Sequence, residues 1–275
     1  MRIAVISDLH LGCGDRSDRF GHDEGAFLGF LDGLERRFDA IAINGDLFET
    51  WQGVRFGRPR EALAAARQRH GRLVARFGEA PYHLTWGNHD PLLAERGAVE
   101  TLEFDADGLR VLLTHGHRFD PPIKRARPVA YTFCWTTGWL HRHQAHPAVE
   151  RVNRLRGRIE ARHLYNTLPQ PWIDRVEEGV CPYQRGALSI LHARPDLGIV
   201  AFGHTHVPAE TCSPWGVYLN SGAMAGGRYA WAAIDTAARA FTVIPDSPDV
   251  DRAIDLLAAR AGAWPPRKPE DTIHE

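Results

Sequence analysis

Five short segments of this chain gather oxygen and imidazole donors beside glycines: Asp8-Leu9-His10, Gly45-Asp46-Leu47-Phe48-Glu49, Gly87-Asn88-His89-Asp90, His115-Gly116-His117 and Gly203-His204-Thr205-His206. A mixed set of carboxylates and imidazoles suits Mn, Fe, Zn or Co, whereas an all-oxygen set favours Mg or Ca. No cysteine belongs to the set, which argues against a structural zinc site. Asp46 offers two oxygens and can bridge a pair of cations held about 3.5–4 Å apart. Glycines next to the donors permit sharp turns and leave room for a phosphate to approach. A single Asp-x-His, or one histidine in a loop, means little, but five such segments in order are not a coincidence. His22, His70, His83, His141, His143, His146, His163, His192 and His274 lack such neighbours and read as ordinary polar residues. Ser7 and Ser221 have no base partner in the sequence and read as structural, and Cys13 reads as a packing or loop residue.

Each segment follows an apolar, strand-like run: AVIS, IAIN, YHLTW, VLLT and GIVAF. The donors therefore belong at the C-terminal ends of strands, where a parallel-type sheet gathers them on one edge. Strands are expected at Ile3–Ser7, Ala40–Asn44, Tyr82–Thr85, Leu109–Thr114, Ile199–Phe202, Val217–Asn220, Tyr229–Asp235 and Ala240–Ile244, the later ones as an antiparallel finish. Helices are expected at Glu24–Arg37 and Glu61–Phe77, giving an α/β layered fold. Between Arg118 and Arg194 no strand signal occurs. Candidate helices at Val129–Arg142, Pro147–Tyr165 and Tyr183–Ala193 mark a helical insertion, rich in arginine and carrying Tyr131, Phe133, Trp135 and Trp139. The expected organisation is a core of residues 1–117 and 195–245, an insertion at 118–194, and a C-terminal helix with a loose tail (Trp264–Glu275) at 246–275.

Composition excludes several classes. The chain has 275 residues, 33 Lys and Arg against 34 Asp and Glu, for a formal net charge of −1. A wholly basic nucleic-acid binder is thereby disfavoured, so no obligate nucleic-acid partner is expected. With 44% hydrophobic and 24% charged residues the chain is globular. Four scattered cysteines without a Cys-x-x-Cys pair fit a reducing compartment. The short run after Met1 is no export signal, and no stretch approaches the roughly 20 apolar residues needed to span a bilayer. A cytoplasmic location is expected.

The ordered set of five segments resembles the calcineurin-like metallophosphoesterase superfamily over roughly Ile3 to Ser221. The resemblance implies a four-layer α-β-β-α sandwich. It also implies that Asp8, His10 and His206 bind one divalent metal, that Asn88, His115 and His204 bind a second, and that Asp46 bridges them. Mn is the expected metal, with Fe, Zn, Co or Mg as alternatives. The resemblance further implies that His89 is the catalytic group that contacts the phosphate, with Asn88 and with Asp90 either orienting His89 or serving the turn. The expected chemistry, were two metals bound, is in-line attack of an activated hydroxide on phosphorus without a covalent enzyme intermediate.

For the substrate, Gly45–Trp51 reads GDLFETW, which is similar to the cytoplasmic UDP-2,3-diacylglucosamine pyrophosphatases. Those enzymes carry a helical insertion after their HG motif as a lid over acyl chains. On this resemblance Trp51, Arg125 and Arg127 are the expected substrate contacts, and the basic, aromatic insertion is a candidate for peripheral contact with the inner membrane surface. That branch has GNRD and HGD where this chain has GNHD and HGH. A general phosphodiesterase, phosphomonoesterase or nuclease of the superfamily is the alternative, and a non-catalytic scaffold a distant one. The insertion also reads as a plain helical hairpin with core-packed aromatics and solvated arginines.

Overall fold

The structure, a computed structural model, describes residues 1–159 and 182–262. Ten strands form two five-stranded sheets. The first contains β1 (Arg2–Ile6), β2 (Ala40–Asn44), β3 (Tyr82–Thr85), β9 (Trp231–Asp235) and β10 (Ala240–Ile244), in the order β10-β9-β1-β2-β3. The second contains β4 (Thr101–Ala106), β5 (Leu109–Thr114), β6 (Leu197–Phe202), β7 (Ala209–Ser213) and β8 (Gly216–Asn220), in the order β4-β5-β6-β8-β7. The strands β1, β2 and β3 run parallel, as do β5, β6 and β8. Of the expected antiparallel finish, the β9–β10 and β7–β8 pairs are antiparallel, but β6 and β8 pair in parallel.

Alternation along the strands builds the layers. Ile3 and Val5 of β1 face Val111, Leu113, Ile199, Ala201, Val217 and Leu219 of the second sheet in a core between the sheets. Ala4 and Ile6 face the other way, into a core shared with Phe27, Leu31 and Leu34 of α1 (Glu24–Arg37) and Leu257 of α7 (Val250–Ala259). On the far side Leu112, Val200 and Tyr218 pack against Ala187 and Leu191 of α6 (Pro182–Ala193). Period-two side chains thus give each sheet two buried faces and the chain four layers, α-β-β-α, as expected.

The helix expected at Glu61–Phe77 is two, α2 (Pro59–Arg69) and α3 (Gly71–Arg76), separated at His70, whose ring is buried and faces Asp18 at 3.3 Å. Within the insertion α4 runs Pro121–Arg142, starting earlier than the expected Val129 and deviating from helical geometry at Ala126, two residues before Pro128. That departure fits the clash a proline imposes on the turn before it. The helix α5 (His146–Ile159) packs on α4. The remainder of the predicted helix to Tyr165, His163, Cys181, His274 and the Trp264–Glu275 tail lie outside the described residues.

Candidate metal centre

The C-terminal ends of β1, β2, β3, β5 and β6 meet at one rim, and each delivers one of the five donor segments there. Ligand-type atoms of Asp8, His10 and His206 lie within 4.8 Å of one another, and so do those of Asp46, His115 and His204. The groups adjoin. His10 Nε2 is 3.2 Å from His206 Nε2 and 3.9 Å from an oxygen of each carboxylate, Asp8 and Asp46. His115 Nε2 is 3.1 Å from Asp46 Oδ2 and 3.9 Å from Asp8 Oδ1. Asn88 is buried, and the amide of the next residue, His89, donates to Asp46 Oδ1 at 2.8 Å.

The backbone makes this convergence at some cost. Asp8, His10, Asp46, His204 and His206 all have φ between 49° and 66°, the left-handed region that residues other than glycine rarely enter. Five of the eight such residues among those described belong to this rim, so the strain is concentrated where the donors are. Gly87 is needed for another reason: a Cβ there would overlap the Asp46 carboxylate.

Hydrogen bonds then fix which atom of each side chain faces inward. Asp8 Oδ2 accepts from Ser7 Oγ at 2.6 Å and from the His204 amide at 2.9 Å, while Oδ1 has no hydrogen-bond partner. Ser7, expected to be structural, is thus the clamp on Asp8, and it is itself paired with Ser221 at 2.8 Å. His115 Nδ1 lies 2.9 Å from the carbonyl of Asn44, so Nδ1–H donates and Nε2, buried without a hydrogen-bond partner, is the nitrogen turned toward the other donors. Asn88 Oδ1 is buried and equally unpartnered. Buried polar atoms without partners are costly and rare. Here a carboxylate oxygen, an amide oxygen and an imidazole nitrogen are left over in one place, and all three are ligand types for a divalent cation of intermediate softness. The residues present fit such a centre.

The charges agree. Burial opposes ionisation of Asp8 and Asp46, yet the surrounding histidines hold both carboxyls below the ordinary carboxylate range. Burial also opposes a charged His115, but Asp46 and Asp8 push it up to about 10. A proton and a metal compete for that nitrogen.

His89 sits over this centre in a setting that the sequence did not foretell. Its Nδ1 is 2.8 Å from Glu49 Oε1, its ring stacks on Trp51 at 4.6 Å and 23°, and it meets the His10 ring edge-on at 4.7 Å. Burial favours a neutral ring, but Glu49 and Asp46 outweigh it and push His89 up to about 9. The same Glu49 reaches His10 Nδ1 at 3.2 Å through Oε2, and accepts the amides of Trp51 and Gln52 through Oε1. Glu49 therefore holds His89. Asp90 does not: its two oxygens accept the amides of Gly87 and Phe48 at 2.8 and 3.0 Å, the turn role, and burial with Asp46 nearby pushes it up to about 7. Of the expected substrate contacts, Trp51 is buried against His89, while Arg127 is exposed with its guanidinium 6.0 Å from the Trp51 ring centre. Arg125 is exposed on α4.

The sequence model of calcineurin-like phosphoesterases matches residues 1–208. This chain belongs to that family. As a calcineurin-like phosphoesterase it is a metal-dependent hydrolase of phosphate ester or anhydride bonds, as its sequence leads one to expect. Among curated proteins the phosphoesterase is 30% identical to the UDP-2,3-diacylglucosamine hydrolase of Pseudomonas aeruginosa over 226 residues, 76% of this chain and 84% of that one. It is 27% identical to the enzyme of the same name from Shewanella piezotolerans, again over 76% and 84% of the two chains. Among solved structures it is similar to a dimetal phosphatase from Danio rerio, with TM-score 0.46, 15% identity and coverage of 85% and 91%. A zinc complex of Vps29 from Entamoeba histolytica gives TM-score 0.44 at 17% identity over 88% and 90% of the chains.

Proposed function

We propose that this phosphoesterase cleaves the pyrophosphate bond of a nucleotide-linked lipid of the UDP-2,3-diacylglucosamine type. The name shared by its curated relatives supports the reading. The observation that carries it is a line of aromatic side chains leading away from the metal centre. Trp51, stacked on His89, touches Tyr131 at 5.6 Å; Tyr131 touches Phe56 at 5.2 Å, and Phe56 touches Trp135 at 5.3 Å. Near its outer end lies an apolar cavity of about 320 Å³ on α4 and α5, lined by Pro128, Val129, Thr132, Phe133, Thr136 and Val152. Val54, Phe56 and Val129 are largely exposed, an arrangement suited to acyl chains held close to a water-excluding surface.

Asp8, His10 and His206 would hold one divalent cation, Asn88, His115 and His204 a second, with Asp46 between them. Such a pair, when bound, supplies Lewis acidity at a phosphoryl oxygen and a nucleophilic hydroxide at neutral pH. Manganese is the proposed occupant. The residues of the chain supply the rest. Glu49 holds the proton on His89 Nδ1, so the ring presents Nε2–H as a donor toward a phosphate or leaving-group oxygen. Trp51 and Glu49 together keep that ring in one orientation. Arg127, whose guanidinium lies over the Trp51 ring at 6.0 Å, would meet the diphosphate, and Arg125 lies on the same helix. The exposed apolar residues, together with the exposed Arg55, Arg58, Arg125, Arg151 and Arg154, would make the proposed peripheral contact with the anionic inner membrane surface. No described helix is long and apolar enough to cross a membrane.

The deciding assay offers Mn-loaded enzyme UDP-2,3-diacylglucosamine and, separately, bis-p-nitrophenyl phosphate. Release of UMP from the first at a higher kcat/KM than turnover of the second is expected. Turnover of the second alone removes the lipid substrate and leaves a general phosphodiesterase.

A further inference from the structure

The N-cap residue of the insertion's first α-helix touches the metal centre. Asp120 stands at the N-cap of α4, a position where an aspartate ordinarily accepts an amide of the first helical turn. Here the side chain makes no capping bond. The next two residues are Pro121 and Pro122, which have no N–H to offer, so the helix start makes less demand on its cap. The carboxylate turns instead into the protein: Oδ2 lies 2.8 Å from Nε2 of His204, the side chain is only 14% exposed, and Oδ1 is buried without a hydrogen-bond partner.

We propose that Asp120 is a positioning residue that sets the tautomer of His204 and, through it, couples metal loading to the seating of α4. The inference rests on the reading of His204 as a metal ligand. With Nε2–H donating to Asp120, the ring's lone pair is on Nδ1, the nitrogen left for a cation. A carboxylate behind an imidazole fixes its tautomer and its plane, the usual function of an outer-shell partner. The particular consequence in this chain is topological. Asp120 is covalently continuous with Pro121, Pro122 and the rest of α4, whose Lys124 amide bonds the Asp120 carbonyl at 2.9 Å. A cation that immobilises His204 therefore also immobilises the first turn of the helix that bears Arg125, Arg127 and Tyr131. Asp120 thus bonds the His204 ring of the catalytic rim to the start of the proposed substrate-binding helix.

The test strips the full-length protein of metal and titrates Mn into wild type, Asp120→Ala, Asp120→Asn and His204→Ala. Calorimetry and Mn electron paramagnetic resonance report the stoichiometry and the exchange-coupled pair. Amide hydrogen exchange over residues 123–127 reports the helix start. Wild type is expected to take up two equivalents and to slow exchange at 123–127 as it does so. Asp120→Ala should keep one equivalent within about twofold of wild type and lose roughly 10–100-fold at the other, with no response at 123–127. Asp120→Asn keeps an acceptor oxygen and should recover most of the loss. Unchanged binding of both equivalents by Asp120→Ala, or an unaltered response at 123–127, overturns the proposal. So does an Asp120→Asn variant no better than alanine. If His204→Ala also binds both equivalents as wild type does, the ligand assignment itself fails, and the role of Asp120 with it.

Discussion

The metal rim and the helical insertion are built by opposite means. At the rim the side chains are gripped by one atom while another is left turned inward: Asp8 is held by Ser7 and an amide, and His115 by the Asn44 carbonyl, while His89 is held by Glu49 and Trp51. Asn44 extends the network by donating to the carbonyls of Thr114 and Ala201 in the other sheet. The insertion is fastened at separate points along its helix α4. Arg142 bonds Asp15, Ser17 and the Gln52 carbonyl; Tyr131 accepts the Gly57 amide at 3.0 Å; Asp120 meets His204. Its surface keeps Val129, Trp139 and Leu155 between 43% and 50% exposed. The contrast separates two tasks. Bond cleavage needs donors fixed to a fraction of an ångström, whereas holding the proposed amphiphilic substrate would need area and tolerate looser mounting.

Substitutions can break that separation. Asp46→Ala should have the largest effect, removing the carboxylate proposed to bridge the two groups of donors. Activity on any phosphodiester should fall further than the roughly 10–100-fold typical of losing an outer-shell partner, with metal content by elemental analysis falling in parallel. Glu49→Ala comes next: a drop of about 10–100-fold in kcat is expected with a smaller change in KM, because the His89 proton loses its anchor. An unchanged kcat would mean that Trp51 alone suffices to hold the ring. Phe56→Ser should act on the insertion side only, lowering kcat/KM for the acylated substrate by about tenfold and leaving bis-p-nitrophenyl phosphate within about twofold. Equal losses on both substrates would show that the aromatic line serves the chemistry after all.

The smallest effect concerns the fastening itself. Burial opposes ionisation of Asp15, but hydrogen bonds from Ser17 and Arg142 outweigh it and bring the carboxyl down to about 2. A folded-state value below the ordinary 3.8 stabilises the protein above that pH, and the stabilisation is lost as pH falls toward 2. Thermal melts of Arg142→Met should therefore lie below wild type at pH 5 and converge with it near pH 2. A constant gap across that range would assign the loss to packing of the arginine stem.

The rim was legible in the sequence because its donors directly follow apolar strands, and the strand ends dictate where they meet. All five strands of the first sheet and the three parallel strands of the second could be located from their apolar runs. The edge strands of the second sheet could not. Thr101–Ala106 and Ala209–Ser213 are polar on alternate residues and pair on one side only, so their strand character depends on a partner that the local sequence does not specify. The partner of His89 escaped for a different reason. Asp90 adjoins it in the chain, but adjacent residues on a tight turn point apart, and the carboxylate that reaches the ring comes from Glu49, three positions after Asp46 on another loop. That spacing was visible, but its meaning required the two loops to be side by side. Asp120 was hidden in the same way, since an aspartate before two prolines reads as a helix cap.

The left-handed donors have an evolutionary corollary. Five side chains occupy backbone conformations natural to glycine, so a mutation from donor to glycine relaxes the loop while disarming the enzyme. A descendant freed from the need to hydrolyse anything could shed these residues one at a time and melt no sooner for it. The scaffold would outlive its chemistry.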